Sequence, residues 1–260
     1  MPPAGGGRFD GLAERYARHR PSYPEAALDA MAAACAEIEG AARFLLDVGA
    51  GTGIATRAMA ERLGPDWRFV GVEPSDDMRR IAVAQSAAFR NLSFQSGAAE
   101  ALPFDDGEAT AVLVAQALHW FDRPVFYDEA RRLLTPGGVL MVLFNDRDAS
   151  ADLFREFEDL MERHVPDYNR DYRSFDYAGE MDALDWTEAV TFDEFRWNWR
   201  VSYQDFAGLM LSRSMAKPWV ERDGEEAVGA AFEAFIAGHG QDGSVDLPYL
   251  THLAIARKRR

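Results

Sequence analysis

The chain of 260 residues contains a single cysteine, Cys35, which excludes an intramolecular disulfide and a cysteine-based zinc site. Cys35 lies in an alanine-rich helical pattern and reads as a structural thiol. Basic residues are scarce: 28 Lys and Arg face 43 Asp and Glu, for a formal charge of -15. A duplex or tRNA partner calls for a basic face, so nucleic acid is not expected, nor is an anionic membrane. No apolar run reaches transmembrane length. The first residues, MPPAGGGRFD, lack the charged start and apolar core of a secretory signal, so a cytoplasmic protein is expected. His164, His239 and His252 share no ligand spacing, and no metal is expected. What is plentiful is apolar residue, 48% of the chain, enough for one large α/β domain.

The chain falls into three parts. Residues 1–24 form an arm with Tyr16, Arg20 and Tyr23, ending in RPSYP. From Glu25 to Arg147, apolar runs and amphipathic segments alternate. Strands are expected at 43–48, 67–73, 92–96, 111–117 and 139–144, and helices at 25–39, 54–63 and 126–134. Ser75 is placed to cap a further helix, with Asp76 and Asp77 in its positive first turn. Residues 148–189 are rich in charge and aromatics without strand pattern, which reads as a helical cap over the sheet. Sheet pattern resumes at 192–202, two helical segments are expected at about 204–212 and 224–237, and a last strand at 247–256. The expected fold is therefore α/β, a Rossmann-like doubly wound sheet of seven strands with the last antiparallel, built from 25–147 and 190–260.

The loop Gly49-Ala50-Gly51-Thr52-Gly53 joins the first strand to its helix, where ligands bind in open parallel sheets. A dinucleotide fingerprint requires a small residue at a third position, which is Ile54 or Thr56 here. A phosphate loop requires Gly-Lys-Ser/Thr, and no Lys is present. What remains is Asp47-x-Gly49-x-Gly51-x-Gly53. Its acid would repel a pyrophosphate and suits a ligand carrying an ammonium group.

This pattern resembles motif I of the class I S-adenosylmethionine-dependent methyltransferases, and other segments fit in order. GVEPSDDM carries Glu73 at the end of the second strand, and GAAEALPF (97–104) resembles the adenine-side loop. LVAQALHWF (113–121) resembles the end of the fourth strand, and LLTPGGVLMV (133–142) the entry to the fifth. The resemblance covers about residues 40–145. RPSYP and the Gln116–Phe121 segment are most similar to the small-molecule branch containing trans-aconitate-type methyltransferases. The chain departs from the pattern at Ala98, where many members carry an Asp for the adenine amino group.

The resemblance implies S-adenosylmethionine as cofactor, homocysteine-form product, and in-line methyl transfer to a small molecule: a carboxylate, hydroxyl, phenol or carbon acid. It implies a cofactor site of Asp47, Gly49, Ala50, Gly51, Gly53, Glu73 for the ribose, Pro74, Met78, Ala98 and Ala99. Gln116 and Ala117 offer carbonyls to the ammonium, and Tyr16 and Arg20 cover the ligand. The acceptor pocket is expected from Tyr23, His119, Trp120, Arg147, Tyr172 and Arg213, the arginines as carboxylate clamps. His119 is either the general base or a residue that holds its loop, with Trp120 as a wall. A protein that binds the cofactor and catalyses another reaction, or serves as a partner subunit, is the alternative. A monomer or homodimer is expected.

Overall fold

The computed structural model describes residues 20–38, 42–169, 176–188 and 190–260. Tyr16 and Tyr172, and most of the expected arm, lie outside them.

Strand β1 (Phe44–Val48) is apolar but for Asp47 and buried at every position, the signature of a central strand covered on both faces. Beside it run β2 (Arg68–Val72) and β3 (Leu92–Gln95) on one side, and β4 (Ala109–Ala115) and β5 (Leu134–Arg147) on the other. All five are parallel. The chain then closes with a long antiparallel pair, β6 (Thr191–Ser202) and β7 (Ser244–Arg257), with β7 between β5 and β6. The order β3-β2-β1-β4-β5-β7-β6 reverses direction between β1 and β4, so the loops leaving those two strands diverge and open a crevice.

Helices cover both faces. On one, α1 (Glu25–Ala36) and α2 (Ile54–Leu63) bury Ala27, Met31, Cys35, Ala55 and Met59 against Leu45, Leu113 and Met141. Between β2 and β3 runs α3 (Asp76–Gln85), whose N-cap Ser75 accepts a hydrogen bond from the Met78 amide, as the sequence predicts. On the opposite face α4 (Arg123–Leu133) packs Phe126, Ala130 and Leu133 on Leu46, Val112 and Leu140.

The cap expected over 148–189 is divided in the structure. Helix α5 (Asp152–His164) turns Leu153, Phe154, Phe157 and Met161 to one side. That stripe packs with α7 (Tyr203–Leu211), α8 (Lys217–Asp223) and α9 (Glu225–Ala237), and with Val201, Val245 and Leu247 of the β6–β7 pair. The short α6 (Tyr177–Asp182) instead sends Met181 into the sheet's core beside α4, and Trp186 follows it. The helical layer thus draws 203–237 from the part expected to be sheet domain, because apolar helix faces pair with one another wherever the topology brings them together.

Every strand departs from its expected bounds by a residue or more, and two departures are informative. β4 starts at Ala109 and ends at Ala115, leaving Gln116 and Ala117 in the loop that follows. β5 begins directly after α4, so TPGG is a kink within the strand rather than a turn before it. Gly138 permits the kink: an added Cβ would stand 2.9 Å from the Thr110 carbonyl oxygen. Among the described residues, no helix is long and apolar enough to cross a membrane.

Candidate active site

The glycine loop is shaped by alternating left-handed residues, with φ of +72° at Gly49, +56° at Gly51 and +78° at Gly53. The Gly49 and Ala50 amides both donate to the Val72 carbonyl, at 2.8 and 3.0 Å, which ties the loop to the end of β2. Each glycine has its own reason. A Cβ on Gly49 would lie 2.5 Å from the Ala117 Cβ, and one on Gly53 would lie 2.6 Å from the Phe94 ring. At Gly51 an added Cβ would meet nothing within 4 Å, because that position opens on a cavity.

This cavity spans about 1030 Å³, its open mouth included, and opens to solvent at the crevice between β1 and β4. Its lining is drawn from the glycine loop (Gly49, Ala50 and Gly51), the segment after β2 (Glu73, Pro74 and Met78), Ala98 and Ala99 after β3, and Gln116 and Ala117 after β4. Ten of the expected cofactor residues are therefore brought together. Tyr23 and Trp120, expected to face an acceptor, line this same cavity. Thr52, Ile54, Ala55, Gly97, Glu100, Ala115 and Phe121 complete it and were not expected. Ile54 and Ala55 could have been anticipated, since α2 starts at the loop's end. Glu100 gave no such signal; its Oε1 accepts the Asp122 amide across the cavity rim at 2.9 Å.

Glu73 is held rigidly. Its Oε2 accepts the Gly51 amide and its Oε1 the Ser75 amide, each at 2.9 Å. Burial pushes its carboxyl up, and those amides together with Arg79 pull the other way. A fixed carboxylate whose remaining lone pairs face a cavity suits a ligand with hydroxyl donors.

Asp47, Gly53 and Arg20 do not line the cavity. Asp47 stands one layer behind the loop, 1% exposed, with Oδ2 accepting the Thr56 hydroxyl at 2.6 Å. Its Oδ1 is buried without a hydrogen-bond partner among the described residues, as is the Oγ1 of Thr52, a residue of the cavity lining. Burial above all, with Glu73 nearby, pushes the Asp47 carboxyl up to about 7, against the lowering effect of Thr56. Buried polar atoms without partners mark a place that a polar ligand completes.

His119 sits in a 3-10 turn (Leu118–Trp120) beside the cavity, not in its lining. Its ring packs against Trp120 and Phe144, with centroids 4.5 and 5.9 Å away, and both ring nitrogens are buried. Arg147 and Arg213 lie instead in the helical layer. Arg147 Nη2 binds Glu158 Oε1 at 2.6 Å, and its guanidinium stacks over Phe157. Tyr168 donates to the other Glu158 oxygen. Arg213 lines a separate cavity of about 180 Å³ with Tyr168. A carboxylate from the protein itself already occupies Arg147, which is why the expected clamp is displaced from the crevice. Among the described residues no group of three acidic, His or Cys side chains could hold a metal.

Sheet order and cavity place the chain among Rossmann-like α/β proteins with an antiparallel strand inserted beside the last parallel one. The same fold is seen in a candidate type II methyltransferase of Anaeromyxobacter dehalogenans, at TM-score 0.65 and 22% identity, covering 92% of this chain and 97% of that one. It is also seen in phosphoethanolamine N-methyltransferase 2 of Haemonchus contortus, solved with S-adenosylhomocysteine, at TM-score 0.55 and 14% identity, covering 95% of this chain and 57% of that one. Residues 46–142 match the family described as methyltransferase domain. An uncharacterized methyltransferase of Mycobacterium tuberculosis is 40% identical over 158 residues, 60% of this chain. The chain spans about three fifths of that relative's length, 59%. Together these findings show that residues 46–142 are similar to a methyltransferase domain, in a chain that shares its fold with those solved structures.

Proposed function

We propose that the chain transfers a methyl group from S-adenosylmethionine to a small-molecule acceptor. The observation that carries this reading is the cavity lining in which Glu73 is fixed by the Gly51 and Ser75 amides, beside a loop left open at Gly51. When bound, the cofactor supplies a methyl group activated by a sulfonium leaving group. In this reading Glu73 accepts the ribose hydroxyls, and Pro74 and Met78 give the adenine an apolar face. Gln116 and Ala117 turn carbonyls toward the ammonium, and Thr52 offers its unpartnered hydroxyl. Tyr23 is a wall that helps keep water out. The acceptor lies on the side of Trp120 and His119. A carboxylate acceptor arrives deprotonated and needs no base; a phenol, hydroxyl or carbon acid calls on His119 to take its proton. RPSYP and Gln116–Phe121 favour the trans-aconitate-type branch.

Calorimetry with S-adenosylmethionine and S-adenosylhomocysteine is the direct test. Both are expected to bind, and Glu73→Ala to weaken both by roughly tenfold or more, the worth of hydrogen bonds to a charged group. A folded sample that binds neither would overturn the reading. Transfer of labelled methyl to a panel of small carboxylic acids and phenols identifies the acceptor; His119→Ala then loses turnover if His119 is the base.

A further inference from the structure

Asn145, near the end of β5, binds parts of the chain that the glycine loop never touches. Its Nδ2 donates to the Ser22 carbonyl of the arm at 3.0 Å. Its Oδ1 accepts the Thr251 hydroxyl at 2.6 Å, across the β5–β7 pairing in which the two residues are partners. Thr251, fully buried, in turn accepts the indole N–H of Trp197 at 2.8 Å. The Asn145 backbone carbonyl receives the Gln116 side-chain amide at 3.1 Å.

The chemistry of these groups gives the chain one direction. An indole nitrogen only donates, so the Thr251 oxygen accepts from it and its own hydrogen must go elsewhere. The neighbour within reach is Asn145 Oδ1. That bond decides which way the Asn145 amide faces, leaving its NH₂ toward Ser22, whose carbonyl only accepts. Donor-only at one end and acceptor-only at the other, the relay has no equally good reversed form. The residue after Ser22 is Tyr23, which lines the cavity, as does Gln116 with its φ of +62°.

We propose that Asn145 is a positioning residue that seats Ser22 and Tyr23 at the cofactor cavity, its amide aimed by the relay from Trp197 through Thr251. The proposal rests on the function proposed above for the identity of the ligand, and on geometry alone for the tether. Asn145 touches no reacting group; it acts through Ser22, Tyr23 and Gln116.

The test compares Asn145→Asp, Thr251→Val and Thr251→Ser. Asn145→Asp still accepts from Thr251 and turns an oxygen toward the Ser22 carbonyl. Thr251→Val keeps the shape and loses the relay, whereas Thr251→Ser keeps the hydroxyl. Two quantities are read: the affinity for S-adenosylhomocysteine, and the hydrogen-exchange rate of the Ser22 and Tyr23 amides in the ligand-free protein. Asn145→Asp and Thr251→Val are expected to lower affinity and speed exchange, each by roughly three- to tenfold, the net effect of one hydrogen bond. Thr251→Ser is expected to restore both. Should wild type bind no such ligand, faster exchange in Asn145→Asp still supports the tether while the cofactor reading falls. Wild-type exchange in Asn145→Asp, or a Thr251→Ser variant that folds and is as impaired as Thr251→Val, would overturn the proposal.

Discussion

The three loop glycines look alike in the sequence, yet their surroundings separate them. A methyl group on Gly51 carries only the left-handed backbone cost of about 1–2 kcal/mol, since it projects into open space. On Gly49 it also collides with Ala117. Gly51→Ala is therefore expected to fold with a loss of about that size in urea unfolding and to lose cofactor binding by calorimetry, while Gly49→Ala loses more stability. Asp47 makes a second prediction. The folded protein holds its proton up to about pH 7, against 3.8 for an ordinary carboxyl, so the native state binds more protons than the unfolded chain across that window. The cost is absent below the lower value, grows as pH rises and is complete above the upper one. Relative to wild type, Asp47→Asn should gain stability from about pH 4 to about pH 7 and stay level beyond, as urea midpoints at each pH will show. Most of the cavity's lining was legible, because its residues fall in short motifs just after successive strands. Asn145 was not: its bond to Ser22 joins positions 123 apart, and no local pattern records such a meeting. Asp47 was legible as a motif residue but not in its place behind the loop, which depends on how Thr56 turns back to meet it.

At the scale of elements, period and capping read well wherever a segment is bounded by its own residues. Helix α2 was expected over the span it occupies, since Gly53 and Gly64 close it at both ends. β5 ran longer than expected because TPGG, read as a turn, is absorbed as a kink by pairing with β4 and β7 on either side. The segment after β5 was read as one cap because composition reports what is apolar, not which apolar face it will meet. The link from β5 to that helical layer is Arg147, only 12% exposed, paired with Glu158 at 16%. Removing one member of such a pair strands its partner. Glu158→Ala is expected to cost on the order of 3 kcal/mol in urea unfolding. By contrast, Asp66→Ala, which breaks the exposed pair with Arg43, should cost less than about 1 kcal/mol.

For the whole molecule, alternation of strand and helix was enough to give the fold class, and the antiparallel last strand followed from the resemblance. Helices α7 and α9 were expected, but their assembly with α5 could not be read, since the core of that layer joins Phe157 of α5 to Phe206 of α7 and Phe232 of α9 through tertiary packing alone. The sulfur of Cys35 lies on the other side, in α1 against the sheet, 1% exposed, its thiol pushed up to about 12 by burial. A thiolate is the form that reacts with disulfide reagents, so the folded chain is nearly inert to them. With one thiol per chain, the labelling rate reports how often α1 leaves the sheet. If that departure is global unfolding, labelling under native conditions should be at least about a thousandfold slower than in the unfolded chain, as a stability of about 5 kcal/mol or more dictates. A saturating ligand should slow it further in proportion to its excess over Kd. Labelling nearly as fast as in the unfolded chain would show that α1 peels away by itself. A single buried sulfur thereby becomes a clock for the opening of the face behind the glycine loop.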